Sequence, residues 1–413
     1  MILSFTVACA LIFACLLAVQ IDWALRFTKL LRSQTKPPVD APLPRALVLL
    51  CLRGADPFLG RTLRALLAQT HEQFHLRLVI DSETDPAWEI VEPFLEESQD
   101  PRVQVRVLKQ RLTTCSLKNS ALLQETAELD DDYEAIVQVD ADAVPYPNWL
   151  RDLLTPLRDP QVGATSGLRW YSPADRSTAG LIRFFWGCAA MIQMVQFKML
   201  WGGSLAIRRD LIDGTSLRSI WARSLSDDLT LNTALHEAGL KEQHVPAVLV
   251  NQEGIDLKGC FQFIRRQVVF VRLYHAAWTP VSLYAATGSI ALLLAAAAFA
   301  GTVATGDLWQ APAILAIVAI YGMSFRWLML WVDDRVRTRV AIQGETLPPR
   351  EGWHALPVPL TMLMYTACYL SAACLKQIQW RGVVYKFTRS GTARMVNDAP
   401  FEDRLLPAEA SVL

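Results

Sequence analysis

The sequence has no surplus of either charge. Forty Lys and Arg balance 40 Asp and Glu in 413 residues. A protein that lives on nucleic-acid phosphates carries a basic excess, so that class is disfavoured. Charge is also scarce, at 19%, against 52% hydrophobic residues, which excludes a disordered chain. No CxxC pair occurs among the eight cysteines. Cys9, Cys15, Cys368 and Cys374 lie in apolar segments, and Cys51, Cys115, Cys188 and Cys260 are scattered through the polar middle. This predicts buried thiols in a reducing compartment. Neither GxxxxGKS/T nor GxGxxG is present, which disfavours kinases, ATPases and dinucleotide enzymes. His71-Glu72-Gln73-Phe74-His75 matches the zinc signature HExxH. That chemistry needs both histidines on one helix face, and here the segment links a helical pattern ending near Gln69 to a strand at 76–80.

What the sequence does have is long uncharged runs. Residues 2–21, 280–306 and 355–375 carry no charge, and 308–331 carry only Arg326. A membrane span takes about 20 apolar residues. The first run begins MILSFT and leads into Trp23, Arg26, Lys29, Arg32 and Lys36. A signal peptide has a basic start and a small-residue cleavage site, so an uncleaved anchor is predicted. The basic, acid-free flank after Trp23 puts the following block on the cytoplasmic side. The short link near Asp307 lacks Lys and Arg, and the loop 332–354 carries Arg335, Arg337, Arg339 and Arg350. A full crossing by 355–375 would put Lys376, Arg381, Lys386 and Arg389 outside, against the rule. Pro357 and Pro359 suit a re-entrant or interfacial segment instead, and both readings stand. The layout is a transmembrane helix in 1–25, a cytoplasmic domain in 26–279, transmembrane helices in 280–378 and a tail in 379–413. Within the domain, 179–200 (broken by Arg183, with Lys198 near its end) and the amphipathic 257–275 are read as interfacial helices.

Strand-like apolar runs at 46–52, 76–80, 103–108 and 135–139 alternate with helical periodicity at 58–69, 88–97 and 117–128. The fold class is therefore α/β with a mostly parallel sheet. In such sheets ligands sit beyond the carboxyl ends of the strands, and these ends are acidic. Asp81, Glu83 and Asp85 follow the second strand, Asp140-Ala141-Asp142 follows the strand at 135–139, and Ser226-Asp227-Asp228 lies further on. One Asp at a strand end is often a turn residue or a cap. Three acidic clusters in one domain point to a site. Two carboxylates one residue apart suit Mg²⁺ or Mn²⁺, hard cations commonly shared between carboxylate and phosphate oxygens.

These segments resemble inverting family-2 glycosyltransferases of the GT-A fold, and among them the ceramide glucosyltransferase group. The resemblance runs through LRGADP (52–57), IDSETDPAW (80–88), SLKNSALL (116–123), VDADA (139–143), WGGSLAIRRD (201–210), SDD (226–228) and IQWRGVVY (378–385). One departure is visible. The family pattern Q/R-x-x-R-W is met by Arg266-Gln267-Val268-Val269-Phe270, without its Arg-Trp pair.

The resemblance implies a membrane-bound enzyme that moves a sugar from a UDP-sugar to a hydroxyl of a lipid acceptor. Arg53, Gly54, Asp81, Glu83, Asp85, Lys118 and Asp140 would bind the nucleotide sugar. Asp140 and Asp142 would hold Mg²⁺ or Mn²⁺ on the diphosphate. Asp228 would be the catalytic base, and Asp227 would orient the site or pair with an arginine. Gly202, Gly203, Arg265, Arg266, Phe270 and Arg272 would contact the acceptor or the departing diphosphate. A polyprenyl-phosphate or polysaccharide acceptor is the alternative. A non-enzymatic receptor or transporter fits less well, because only Arg326 interrupts the late apolar runs.

Overall fold

Two strands, β1 (Ala46–Leu52) and β4 (Ala135–Val139), are buried along almost their whole length on both faces, as the centre of a parallel sheet requires. They belong to a computed structural model that describes residues 2–33, 42–127, 129–130, 132–173, 175, 177–306, 308–350 and 356–398. Lys36, Asp307 and the tail beyond 398 lie outside the described residues.

The chain opens with α1 (Ile2–Arg32). Around β1 and β4 it then lays down α2 (Leu59–Leu67), β2 (Phe74–Ile80), α3 (Trp88–Ser98), β3 (Val103–Val107), α4 (Leu117–Ala127) and α5 (Trp149–Leu154). There follow β5 (Val162–Tyr171), α6 (Thr178–Gln196), β6 (Ser204–Arg208), α7 (Arg209–Gly214), α8 (Leu217–Trp221), α9 (Leu231–Glu237) and β7 (Lys241–Asn251). The seven strands lie in the order β3-β2-β1-β4-β6-β5-β7, and β6 alone runs against the rest. This is the mostly parallel sheet expected from the alternation of strands and helices. Alternate residues of β1 serve opposite cores: Ala46, Val48 and Leu50 pack with α2, α3 and α5, and Leu47 and Leu49 pack with α4 and α7–α9. The chain leaves β1 in one direction for β2 and β3 and returns on the other side as β4. The carboxyl ends of β1, β2 and β4 therefore meet at a switch point, with Arg53, Asp81 and Asp140 just beyond them.

The rest of the chain comprises α10 (Leu257–Tyr274), α11 (Trp278–Thr305), α12 (Ala311–Ile342), α13 (Pro357–Cys374) and a hairpin sheet of β8 (Gln377–Trp380), β9 (Val383–Phe387) and β10 (Ala393–Asn397). Among the described residues, five helices, within α1, α6, α11, α12 and α13, are long and apolar enough to cross a membrane. Among them α6 differs, since two thirds of its apolar window is buried and Arg183 within it is buried too. It fills the seam between β5 and the helix bundle, with Phe184 and Phe185 in one cluster with Trp170, Phe27 and Phe325.

Two sequence expectations change here. Residues 332–342 are the last turns of α12 and not part of a loop. Asp333 in those turns is fully buried and accepts from Trp170 Nε1 at 2.8 Å, Arg337 Nε at 2.7 Å and Arg350 Nε at 2.7 Å. This clasp fixes the end of α12 to the sheet domain. The cysteines also divide: Cys9, Cys115, Cys188, Cys260 and Cys368 are buried, Cys51 is half-buried, and Cys15 and Cys374 are exposed on outward faces of apolar helices.

Seven residues before α13, Arg350 is bound to Asp333. α13 starts with Val358 against Gly322 and Phe325, midway along α12, and packs along α11, with Thr366 paired with Ser289 at 3.0 Å. The hairpin just after α13 packs on the sheet domain, where Tyr385 joins a core with Val79 and Leu117.

Candidate active site

The carboxyl ends of the strands open into a polar cavity of about 190 Å³. Its floor is built by short-range geometry. Gly54, at φ 83°, turns the chain after β1, and its N–H donates to Asp85 Oδ1 at 2.9 Å. Asp81 at the end of β2 is buried between Arg53 and Arg111. Asp85 also accepts from Ala87 N–H at 2.8 Å, and burial pushes its pKa up despite these donors. Glu83 points to solvent and does not line the cavity.

Lys118 enters from the first turn of α4. Its Nζ stands 3.0 Å from Asp140 Oδ1 and 3.1 Å from Asp227 Oδ2, and donates to Gly202 O at 3.1 Å. Burial opposes the charge of Lys118, but Asp140, Asp227 and Asp228 together outweigh it and raise its pKa. The partner of Asp227 is thus this lysine and not an arginine. Burial and the neighbouring Asp228 and Asp140 hold the Asp227 carboxyl up, at about 6, against the pull of Lys118. Asp140 goes the other way: burial would raise its pKa, but Lys118 and Arg169 bring it below the usual value.

Gly202 and Gly203 are required by contact. A Cβ on Gly202 would collide with Asp227 Oδ2, and one on Gly203 with the Trp201 ring and Asp140 Oδ2. The Gly202 N–H donates to Asp228 Oδ2 at 2.7 Å. The other oxygen of Asp228 accepts from Ser226 Oγ at 2.5 Å and Leu229 N–H at 2.7 Å. Asn119 in α4 anchors this acidic loop, donating to Ser224 O at 2.9 Å and Trp221 O at 3.1 Å.

The donor set suits a divalent cation. Asp140 keeps 31% of its side chain exposed, and Gly203 leaves open space at its Oδ2. Asp142 also lines the cavity and is steadied by Arg169 Nη2 at 2.5 Å and Asn251 Nδ2 at 3.0 Å. Two carboxylates and a substrate's phosphate oxygens are the oxygen donors that Mg²⁺ and Mn²⁺ take.

A second cavity, of about 200 Å³ and mostly apolar, lies between α6, α10 and the bundle helices α1, α11, α12 and α13. Asp228, Arg169, Trp201, Gln267 and Phe270 line both cavities. The polar and apolar spaces therefore meet at one carboxylate.

The sequence pattern of glycosyl transferase family 21 matches residues 6–393, nearly the whole chain. The chain belongs to this family. It is a glycosyltransferase, and its sheet has the GT-A architecture seen in solved enzymes. One similar structure is a mannosyltransferase from Pyrobaculum calidifontis in complex with GDP-Man and Mn²⁺. It is 20% identical over 81% of this chain and 98% of that one, with a TM-score of 0.53. Glucosyl-3-phosphoglycerate synthase from Mycobacterium tuberculosis, with Mn²⁺, UDP and phosphoglyceric acid, matches at 15% identity over 55% of this chain and 78% of that one, with a TM-score of 0.36.

In this glycosyltransferase the arginines of α10 part ways. Arg266 lines the polar cavity, where burial and the charges of Arg169 and Arg381 pull its pKa down to about 10. Arg265 lies over the Phe261 ring, away from both cavities. Arg272 donates to the carbonyls of Ala372, Ala373 and Leu375 and so caps α13. Neither replaces the arginine absent from the Q/R-x-x-R-W pattern. The hairpin does bring an Arg and a Trp to the same place. Trp380 meets Phe270 edge-on at 5.9 Å and lies under Arg266 at 5.6 Å. Arg381, at φ 46°, and Gly382, at φ 79°, form the two-residue turn between β8 and β9, with both φ positive as a type I′ turn needs. Arg381 Nη1 donates to Arg53 O at 2.7 Å, and Arg53 Nε donates to Arg381 O at 2.9 Å. Sequence reasoning gave no site role to Arg169, Asn251, Trp201, Trp380, Arg381 or Tyr385. The resembling segments WGGSLAIRRD and IQWRGVVY hold the last four and were the available signal.

Proposed function

We propose that the chain is a membrane-bound inverting glycosyltransferase that transfers a sugar from a nucleotide sugar, a UDP-sugar above all, to a hydroxyl of a lipid acceptor of the ceramide-like type. One observation carries this reading: Asp228 stands where the polar cavity meets the apolar one. A donor diphosphate suits the first and a hydrocarbon chain suits the second, so the reacting centres come together at this carboxylate.

Arg53, Gly54 and Asp81 wall the nucleoside end. Asp85 shapes the Gly54 turn. Lys118, Arg266 and Arg381 place positive charge along the cavity that receives the diphosphate. Asp140 and Asp142 would hold Mg²⁺ or Mn²⁺, which when bound neutralises charge on the leaving diphosphate. Asp228, held by three donors, takes the proton of the acceptor hydroxyl as that oxygen attacks the anomeric carbon. The diphosphate leaves from the opposite face, so configuration inverts. Asp227 is engaged with Lys118, and the reaction needs no second carboxylate as nucleophile, in contrast to retaining hydrolysis.

The long helices α1, α11 and α12 cross the bilayer in this reading, and α13 is re-entrant. Lys376, Arg381 and Lys386 then stay on the catalytic side, the cytoplasmic one, and the charge conflict of a full crossing disappears.

The test is nucleotide release by detergent-purified protein offered UDP-sugars and, since one similar structure holds GDP-Man, GDP-sugars, with membrane lipids and Mn²⁺ or Mg²⁺. Lipid-dependent release that stops on chelation is the expected result. Release that is independent of any lipid would remove the acceptor assignment.

A further inference from the structure

A third cavity, of about 670 Å³, lies away from the site, at the foot of the bundle. It is bounded by the last turn of α1, by α5 and by the last turns of α12. Its lining carries four arginines, Arg32, Arg151, Arg335 and Arg339, against one carboxylate, Asp152. That carboxylate is already engaged: Asp152 Oδ2 accepts from Tyr146 Oη at 2.5 Å and stands 3.5 Å from Arg339 Nη2. Arg339 is tied further to Pro246 O at 2.7 Å. The other three arginines form no ion pair among the described residues. Arg335 lies over the Trp331 ring at 5.2 Å, and its Nε is buried without a hydrogen-bond partner.

We infer that this cavity binds the phosphate of an anionic headgroup, and that the phosphate belongs to a membrane phospholipid. Three guanidinium groups that line one cavity, without an ion pair among the described residues, call for an anion. The surroundings name its source. Along α12, Trp327 (65% exposed), Trp331 and Arg335 follow one another at four-residue spacing and share a face. Before them on α12, Leu315, Ile320 and Met323 are exposed. Apolar surface, then tryptophan, then arginine is the order met on passing from acyl chains to headgroups. A soluble anion needs none of the apolar approach. Tyr146 and α5 follow directly on Asp140-Ala141-Asp142, so an occupied cavity would brace the segment that carries both carboxylates. The inference rests on the bundle lying in a membrane and not on the transfer reaction.

Native mass spectrometry of the full chain in a neutral detergent tests it, with titrations of phosphatidylglycerol, phosphatidylcholine and inorganic phosphate. Phosphatidylglycerol should occupy one site ahead of phosphatidylcholine. Each arginine removed should weaken that site about fivefold, so Arg32→Gln with Arg335→Gln should weaken it about 25-fold. Lys386→Gln with Arg394→Gln, an equal charge loss on the exposed hairpin, should leave it unchanged. Arg151→Gln alone, on a different element, should show the single fivefold loss and guards against misfolding of the double variant. Equal binding of both lipids, or equal losses in the two double variants, would overturn the inference. Displacement of phosphatidylglycerol by inorganic phosphate at millimolar concentration would reassign the cavity to a soluble anion.

Discussion

The backbone N–H of Gly202 donates to Asp228 Oδ2 at 2.7 Å, so the turn before β6 and the acidic loop before α9 form one unit. The carboxylate that divides the two cavities is aimed by a glycine whose neighbour, Gly203, also makes room for Asp140.

Replacing Asp228 by Asn keeps its size and most of its hydrogen bonds but removes the base. Turnover should fall by about 10²–10⁴-fold, the usual contribution of general-base catalysis. Calorimetry should find UDP affinity within a few-fold of wild type. A variant that retained turnover would point to an acceptor that brings its own anion, such as a polyprenyl phosphate.

Arg381 lines the polar cavity, and in the proposed reaction it supplies the charge of the motif arginine that α10 lacks. Arg381→Gln should weaken UDP binding by roughly tenfold, as the loss of one charge-assisted hydrogen bond does. Arg265→Gln, whose side chain faces away from both cavities, should leave UDP binding unchanged. Equal effects in the two variants would remove the hairpin from the donor site.

Asp333 joins α12 to the sheet through Trp170 and also binds Arg337 and Arg350. Asp333→Ala removes the buried acceptor that these three donors share, and should cost about 3 kcal/mol of stability. Thermal unfolding in detergent should show the loss, with an early transition of the bundle.

Asp227 gives a pH signature in the metal-free enzyme. Its pKa is raised from 3.8 to about 6 on folding, chiefly by burial. Between those values the folded chain binds more protons than the unfolded one, so stability falls as pH rises through that window and levels off above it. The unfolding midpoint of wild type relative to Asp227→Asn should fall from pH 4 to 7. A relative midpoint rising through the same window would contradict the assignment.

Much of this protein was legible in sequence because local patterns carry it. Alternating runs made an α/β sheet inevitable, and chain direction put Asp81 and Asp140 at the ends of strands. Uncharged runs long enough to span a bilayer marked α1, α11 and α12 for the same reason, since length and composition settle that property. The tertiary structure alone decided which charges meet. Lys118 reads equally well as a solvated helix residue until β6 and the acidic loop close around it. Arg265, Arg266 and Arg272 share one helix, yet only Arg266 faces the cavity, because α13 and the Phe261 ring claim the other two. Arg381 lies 328 residues from Arg53 in the chain and bonds to it in the fold. Contacts at such separations depend on how elements dock, and docking is set by packing that no local pattern encodes.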